Sequence, residues 1–218
     1  MEIQLKSFIK EHSIVSCVNF PVSFQKHKNN SKISYITNEP YLQNIRVQKY
    51  FEKHFHPFSV SKFSDACRMV LLSPKILENN ISQLSYTEMK KLRFVEALLS
   101  RCEVFVFVDF EQGFYAKSRS YYQKLFLKLT KYGKSVLVFT KDISFLFGMS
   151  SEFYLWMKNK YEVISSFYDS RIYQYVSKPI IISYVESLKN KGIHMEDYIE
   201  TKEVLKAIYR SVSNGERL

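Results

Sequence analysis

The stretch ISQLSYTEMKKLRFVEALLSRCEVFVFVDF (residues 81–110) predicts an amphipathic helix followed by a buried strand. Ser85 or Thr87 is suited to cap the helix, and Glu88 is well placed in its first turn against the helix dipole. An apolar stripe at helical spacing follows: Met89, Leu92, Val95, Leu98 and Leu99. The continuous apolar run VFVFV (104–108) is typical of a strand buried on both faces of a parallel sheet.

Further strands and helices are predicted on both sides of this stretch. Apolar runs predict strands at 13–20, 33–37 and 135–140, and a hairpin at 153–165. Helical spacing predicts helices at 44–55, 62–73, 74–80 and 118–132, and two more at 182–192 and 200–212. A helix between two buried strands is the crossover unit of an α/β protein, so we expect a mainly parallel sheet.

The amino-acid composition is that of a globular protein with few glycines. The 218 residues include 46% hydrophobic residues but only five glycines, which is few for a fold that binds phosphates through flexible loops. Cys17, Cys67 and Cys102 are widely spaced and favour buried thiols over a disulfide or zinc site. The start of the chain lacks the pattern of a signal peptide, and no apolar run is long enough to span a membrane, so we expect a cytoplasmic protein.

The net charge of +11 admits two kinds of partner. Nucleic acid is one, but the lysines are spread along the chain in short groups and no nucleic-acid-binding motif accompanies them. An anionic membrane face is equally compatible with this charge. A metal site is not indicated, because His54 and His56 lie two residues apart without a carboxylate or cysteine cluster.

The segment around residues 84–99 resembles the signature motif of the ATP-binding subunits of ABC transporters. The matching positions are Leu84, Ser85, Glu88, Lys90, Lys91, Leu92, Ala97, Leu98 and Leu99. Tyr86 and Thr87 replace the two glycines of that motif. The resemblance implies an ABC ATPase-like α/β fold, with a RecA-like parallel sheet core and a helical subdomain at about 41–100.

At the positions that the resemblance assigns to the catalytic motifs, this chain has residues other than the usual ones. In ungapped register, Val108 stands at the Walker B aspartate and Asp109 at the catalytic glutamate; a one-residue slip puts Asp109 and Phe110 there instead. Gly113 matches the glycine just after Walker B. Tyr115 falls at the D-loop aspartate and Lys141 at the switch histidine. Glu111 and Gln112 are expected to be solvated.

Other parts of the likeness are looser. Asn38 replaces the Q-loop glutamine, and the hairpin and the last helix resemble those of ABC-2 type and peptide-export or immunity subunits. We therefore expect a degenerate ABC ATPase-like domain at 1–165 and a C-terminal extension at 166–218.

The phosphate-binding loop is the clearest loss. Such a loop needs glycines that let backbone amides face a phosphate, together with a lysine and a serine or threonine. The segment after the first strand, NFPVSFQKHKNN (19–30), has no glycine, and Lys26 alone does not replace the amide cradle. The segment is also short, so we expect the fold to be truncated at the phosphate loop.

The sequence thus predicts a catalytically inactive subunit without ATP or magnesium as cofactor. The resemblance implies a membrane permease, a sister ABC ATPase or both as partners, and a peripheral position at the inner face of the membrane. Arg46 and Lys49 are the candidate docking residues, and a homodimer is compatible with the family. Two alternatives stay open: a basic nucleic-acid-binding protein on the same scaffold, and a weak ATPase that uses a partner's phosphate loop.

Overall fold

The computed structural model describes residues 11–20, 32–41, 44–150 and 152–213. The strands in these ranges are β1 (Ile14–Val18), β2 (Ile33–Ile36), β3 (Val104–Val108), β4 (Ser135–Thr140), β5 (Phe153–Met157) and β6 (Lys160–Ile164). The helices are α1 (Val47–His54), α2 (Val60–Met69), α3 (Tyr86–Leu99), α4 (Ala116–Lys131), α5 (Ile180–Asn190) and α6 (Thr201–Ser213). Short 3-10 turns cover Pro74–Glu78, Ile81–Gln83, Ile143–Leu146 and Ser170–Gln174.

The strands form one sheet in the order β2-β3-β4-β1-β5-β6. All neighbours are parallel except β5 and β6, which form an antiparallel hairpin. Its turn residues, Lys158 and Asn159, both have positive φ, as a tight two-residue hairpin turn requires. The expected mainly parallel α/β sheet is therefore confirmed.

Alternation along the central strands divides the core between the two faces of the sheet. Phe105 and Phe107 of β3 point into the larger core, where the rings of Phe107 and Phe126 stack at 4.0 Å. Val104 and Val106 point into a smaller core on the opposite face. This period-two pattern explains why the strand is apolar throughout.

Aromatic packing holds the region between β2 and β3. Phe51 of α1 and Phe63 of α2 are fully buried, with ring centroids 4.8 Å apart. Ser59 caps α2 by accepting a hydrogen bond from the amide of Lys62 at 3.4 Å. The helix α3 then packs against both α2 and β2, which carries the signature-like segment to the carboxyl ends of the strands.

The last part of the chain packs on the sheet and also forms a small core of its own. Phe167 stacks on Phe153 of β5 at 5.2 Å, and Ile172 and Ile182 join the larger core. A separate cluster between α5 and α6 contains Val185, Leu188, Ile193, Met195, Val204 and Ala207. The division at residue 165 stays a prediction.

The predicted elements agree with the structure to within a few residues. The helix predicted at 118–132 begins two residues earlier, at Ala116, and the second of the two short helices is the 3-10 turn Pro74–Glu78. The three cysteines are buried free thiols, as predicted. Within the described ranges, no helix is both long and apolar enough to span a bilayer.

Candidate functional site

The candidate site lies at the carboxyl ends of β3 and β4, which are neighbours in the sheet. Ligands of open parallel sheets bind beyond these ends, where the loops leave a crevice. The turn after β3 begins at Asp109, whose amide donates to the carbonyl oxygen of Phe139 at 2.8 Å. Asp109 has a φ of +46°, so the chain turns sharply at the residue where the family pattern places a carboxylate.

A cavity of about 470 Å³ opens beside this turn. Four segments build its wall: the turn after β3, the first turn of α4, the turn after β4, and the residues around the start of α5. The lining residues are Glu111, Gln112, Gly113, Phe114, Arg119, Lys141, Asp142, Ser144, Ser177, Lys178, Pro179 and Ile180. Charges of both signs line the cavity, which suits a polar ligand or a polar partner segment.

Glu111 is buried in the wall of this cavity, with only 3% of its surface exposed. Its Oε1 accepts a hydrogen bond from the Thr140 hydroxyl at 2.6 Å, whereas Oε2 is buried without a partner among the described residues. Burial raises the pKa of Glu111 to about 7; Asp109 and Asp142 add to the rise, and the Thr140 hydrogen bond opposes it. The expectation of a solvated Glu111 is therefore wrong.

An ion pair closes the far side of the cavity. Arg119 Nη2 lies 2.5 Å from Asp142 Oδ2 and also donates to Ser144 Oγ at 3.4 Å. The other carboxylate oxygen of Asp142 accepts from the Ser144 amide at 3.0 Å and so caps the turn Ile143–Leu146. Asp142 is therefore satisfied by local partners.

Asp109 and Lys141 face each other across the two strand ends. Burial raises the pKa of Asp109, while the charge and backbone amide of Lys141 and the charge of Lys90 oppose the rise. Oδ1 of Asp109 is buried without a partner in the described part of the chain. The Lys141 side chain is exposed, and Val108, the last residue of β3, offers no metal-binding atom.

Phe110, which the alternative register puts at the catalytic position, lies in the aromatic core. It is 1% exposed and packs edge-on against the rings of Phe107 and Tyr122 at 5.1 and 4.9 Å. Its ring therefore has a structural role, whichever register applies.

A buried lysine holds the whole turn after β3. The ammonium group of Lys90 donates to the carbonyl oxygens of Asp109, Phe110 and Gln112 at 2.9, 3.2 and 2.7 Å. It also lies 4.2 Å from the centroid of the Tyr86 ring, a cation–π contact. Burial lowers the pKa of Lys90 to about 8, although Glu111 and Asp109 oppose this. Lys90 matches the signature-like pattern in the sequence, but its burial was not expected from that pattern.

The two residues that replace the signature glycines pack against the turn of the same chain. The Tyr86 hydroxyl donates to Gln112 Oε1 at 3.3 Å. Gly113 has a φ of +82°, and a Cβ atom there would lie 3.2 Å from Thr87 Cγ2 and 3.4 Å from Tyr86 Cδ1. Glycine at 113 is thus required both by the backbone angle and by this close approach.

The start of α3 keeps a complete capping box. The amide of Glu88 donates to Ser85 Oγ at 3.3 Å, and the amide of Ser85 donates to Glu88 Oε2 at 2.9 Å. The prediction of a cap at Ser85 is confirmed. Leu84, just before it, is 7% exposed and belongs to the larger core.

The Q-loop-like segment after β2 is fastened to α3. Arg93 donates to the carbonyl oxygens of Glu39 and Pro40 at 2.8 and 3.3 Å, and Tyr41 donates to Glu96 at 2.8 Å. Asn38 is half-buried, and its Oδ1 lacks a partner among the described residues. The structure therefore places Asn38 at the end of an edge strand, beyond the carboxyl end of β2.

The proposed docking residues lie away from the turn after β3. Arg46 is the N-cap residue of α1, and Lys49 lies in the first turn of the same helix. Both side chains are exposed, whereas Val47 and Phe51 on the other side of α1 are buried. The helix thus exposes two cations on its outer face.

Among the described residues, no group of three or more histidine, cysteine, aspartate or glutamate side chains is arranged to hold a metal ion. The predicted loss of the phosphate loop and Lys26 fall in 21–31, outside the described residues. The described part of the site contains the buried carboxyl group of Glu111, whose pKa is raised, and the half-buried carboxylate of Asp109. The ammonium group of Lys90 already donates to backbone carbonyls. Such a set can bind polar groups by hydrogen bonding.

No protein-family model and no curated protein sequence matches the chain. Solved structures, however, are similar to the chain in fold. An ATP-binding subunit of an ABC transporter superposes with a TM-score of 0.61 and 11% identity over 82% of this chain and 89% of that one. CbiO1 of Clostridium perfringens, part of the ABC transporter complex CbiONQ, gives a TM-score of 0.57 and 13% identity over 84% and 87%.

An inward-facing, putative metal-chelate type ABC transporter is also similar, with a TM-score of 0.52 and 11% identity over 71% of this chain and 72% of that chain. At these identities the likeness concerns the fold. The chain has the ABC ATPase-like fold of ABC transporter ATP-binding subunits.

Proposed function

We propose that this chain is a catalytically inactive ABC ATP-binding-like subunit that docks on a membrane permease or on an active sister ATPase. It would then be a peripheral protein at the inner face of the membrane. The single observation that carries the inactivity is the glycine distribution: residues 1–112 contain none. A phosphate cradle requires glycines right after the first strand, because bulkier residues keep successive amides from facing one phosphate.

The turn after β3 supports the same proposal. Phosphoryl transfer depends on positioned carboxylates, magnesium and an activated water. Here Val108 offers no ligand, and Glu111 is turned inward towards Thr140. Lys90, the buried lysine beside this turn, donates its three N–H groups to backbone carbonyls. ATP and magnesium are therefore not expected as cofactors of the isolated chain.

Loss of chemistry alongside a retained fold favours a role in binding. The resemblance of the last helix to peptide-export and immunity subunits extends the proposal to a transporter that exports a peptide or protects against one. Arg46 and Lys49 present exposed cations on α1, suited to acidic groups of a permease or a sister subunit.

The docking test is copurification from native membranes. We expect Arg46→Glu with Lys49→Glu to weaken recovery of the membrane partner, since charge reversal replaces attraction with repulsion. Lys117→Glu with Lys124→Glu, on exposed positions of α4, is the matched control and should leave recovery unchanged. Equal recovery of a permease or ATPase with all three proteins would overturn the docking site.

A further inference from the structure

The helix α6 carries an exposed apolar ridge on the side away from its core contacts. Val204, Ala207 and Ser211 face the small core shared with α5 and are buried. Leu205, Tyr209 and Val212 are 49%, 72% and 49% exposed. Spacings of four and three residues align these three side chains along one face of the helix. Large apolar groups in such an array are rarely left in water without a partner.

A row of cations runs beside this ridge. Lys202, Lys206 and Arg210 are exposed and spaced four residues apart, so they also form a line along α6. None of the three has an ion-pair partner in the described part of the chain. Glu203 is the one carboxylate on the helix and lies in the first turn, where it favours the helix dipole.

Three acidic residues precede the helix: Glu196, Asp197 and Glu200. Asp197 is paired with Lys189 at 2.5 Å, and among the described residues neither glutamate forms an ion pair with the cations of α6. Three cations against one carboxylate leave α6 with a surplus positive charge. The apolar side chains of the ridge are stabilised by a nonpolar medium, and the cations beside them are stabilised by negative charge. A partner that supplies both must have a nonpolar region next to a negatively charged layer.

We propose that α6 lies on an anionic lipid surface, with Leu205, Tyr209 and Val212 inserted at the headgroup boundary and Lys202, Lys206 and Arg210 on lipid phosphates. Interfacial helices combine a basic polar face with large apolar groups in this way. Tyrosine suits the boundary because its ring is apolar and its hydroxyl remains hydrated. The small core behind α6 keeps the helix formed before it meets the membrane.

This inference goes beyond the proposed docking on a permease and does not depend on it. The ridge is short, so insertion alone gives weak binding, and the cations must contribute. Binding should therefore need anionic lipid and should fall when salt is raised from about 0.1 M to about 1 M, since the Debye length shrinks from about 10 to about 3 Å.

The test is flotation of the full chain with vesicles of phosphatidylcholine containing one quarter phosphatidylglycerol, and with vesicles of phosphatidylcholine alone. We expect binding to the former only. Lys206→Glu with Arg210→Glu should weaken it more than about twentyfold, since each cation contributes about fivefold. Leu205→Ser with Tyr209→Ser should weaken it about tenfold or more.

Matched controls separate α6 from the general basic charge. Lys117→Glu with Lys124→Glu removes the same charge on α4, and Val163→Ser removes an apolar side chain that is 56% exposed on β6. Both controls should bind as the unaltered chain does. Failure to float with anionic vesicles, equal flotation with neutral ones, or equal losses in the controls would overturn the proposal. Failure of vesicle binding combined with capture of an acidic protein by α6 would assign the ridge to a protein partner.

Discussion

The Thr140 hydroxyl donates a hydrogen bond to Oε1 of Glu111 at 2.6 Å, and this contact joins the turn after β3 to the end of the neighbouring strand β4. The same carboxyl group has its second oxygen buried without a partner among the described residues. Burying an unpaired ionised oxygen is costly, so the neutral form of the group is favoured.

Replacing Glu111 with glutamine tests this balance. The pKa of Glu111 is raised from 4.5 to about 7 in the folded protein, so the folded state holds the proton more tightly than the unfolded state. The resulting stabilisation is complete below pH 4.5 and is lost as the pH rises through 7. Glu111→Gln, which keeps an oxygen for Thr140, should be more stable than the unaltered chain by roughly 2–3 kcal/mol at pH 8.

Urea unfolding between pH 4.5 and pH 8 measures the difference. Glu103→Gln is the control, because Glu103 is an exposed carboxylate paired with Lys32 at 3.0 Å, and it should change the free energy of unfolding by less than about 0.5 kcal/mol. A Glu111→Gln protein that is less stable at pH 8 would show that the carboxylate is ionised and satisfied in the fold.

Lys90→Met should destabilise the protein by roughly 2–4 kcal/mol. The change removes the donor shared by the carbonyl oxygens of Asp109, Phe110 and Gln112, and buried acceptors left unsatisfied cost about 1–3 kcal/mol each. Relief of the buried charge offsets part of that loss. Lys91→Met is the matched control, since Lys91 is less buried and reaches one carbonyl oxygen, that of Leu71, at 2.8 Å. Equal destabilisation by both changes in urea unfolding would contradict the role given to Lys90.

Gly113→Ala and Gly148→Ala separate backbone strain from crowding. Both glycines have positive φ, at +82° and +76°, so each alanine pays a similar conformational penalty of about 1 kcal/mol. Only the alanine at 113 also meets Thr87 and Tyr86, at 3.2 and 3.4 Å; at 148 no atom of the described residues lies within 4 Å of the added Cβ. Gly113→Ala should therefore lower the free energy of unfolding further, by about 1 kcal/mol. An equal decrease in the free energy of unfolding for both variants would mean that Thr87 and Tyr86 of α3 move aside without an energetic cost.

Isothermal calorimetry with MgATP should show no binding tighter than about 1 mM. Stacking of adenine on an aromatic ring is available, but a segment without glycine is not expected to form a cradle for the phosphates. Asp109→Asn should leave the calorimetric trace unchanged, because no magnesium is expected there. A dissociation constant in the low micromolar range, or ATP turnover that disappears in Asp109→Asn, would identify a working nucleotide site.

The sequence predicted the elements well because their signals are local. The run at 104–108 and the spacing of apolar residues in α3 are periodic patterns, and the Ser85 cap with Glu88 is a motif of four consecutive residues. The fold class followed from a helix lying between buried strands. These local features depend little on the tertiary contacts between distant parts of the chain.

The interior of the candidate site was harder to predict. Lys90 and Glu111 are 1% and 3% exposed, although their types favour solvent. Their burial results from the turn at Asp109, which brings three carbonyl oxygens to one ammonium group and one hydroxyl to one carboxyl. A faint signal exists: Lys90 lies four residues before the fully buried Phe94 and so shares its face of α3. Partners such as these are distant in sequence, and periodicity does not reveal them.

The position of β1 at the centre of the sheet sets an order of events during synthesis. β1 is complete at Val18, but its neighbours β4 and β5 end at Thr140 and Met157. At roughly 5–20 residues per second, the ribosome needs about 6–28 s to make those partners. Until then an apolar strand with buried side chains on both faces has no sheet to join. Of the described strands, β1 is therefore made first and waits longest for its neighbours in the sheet.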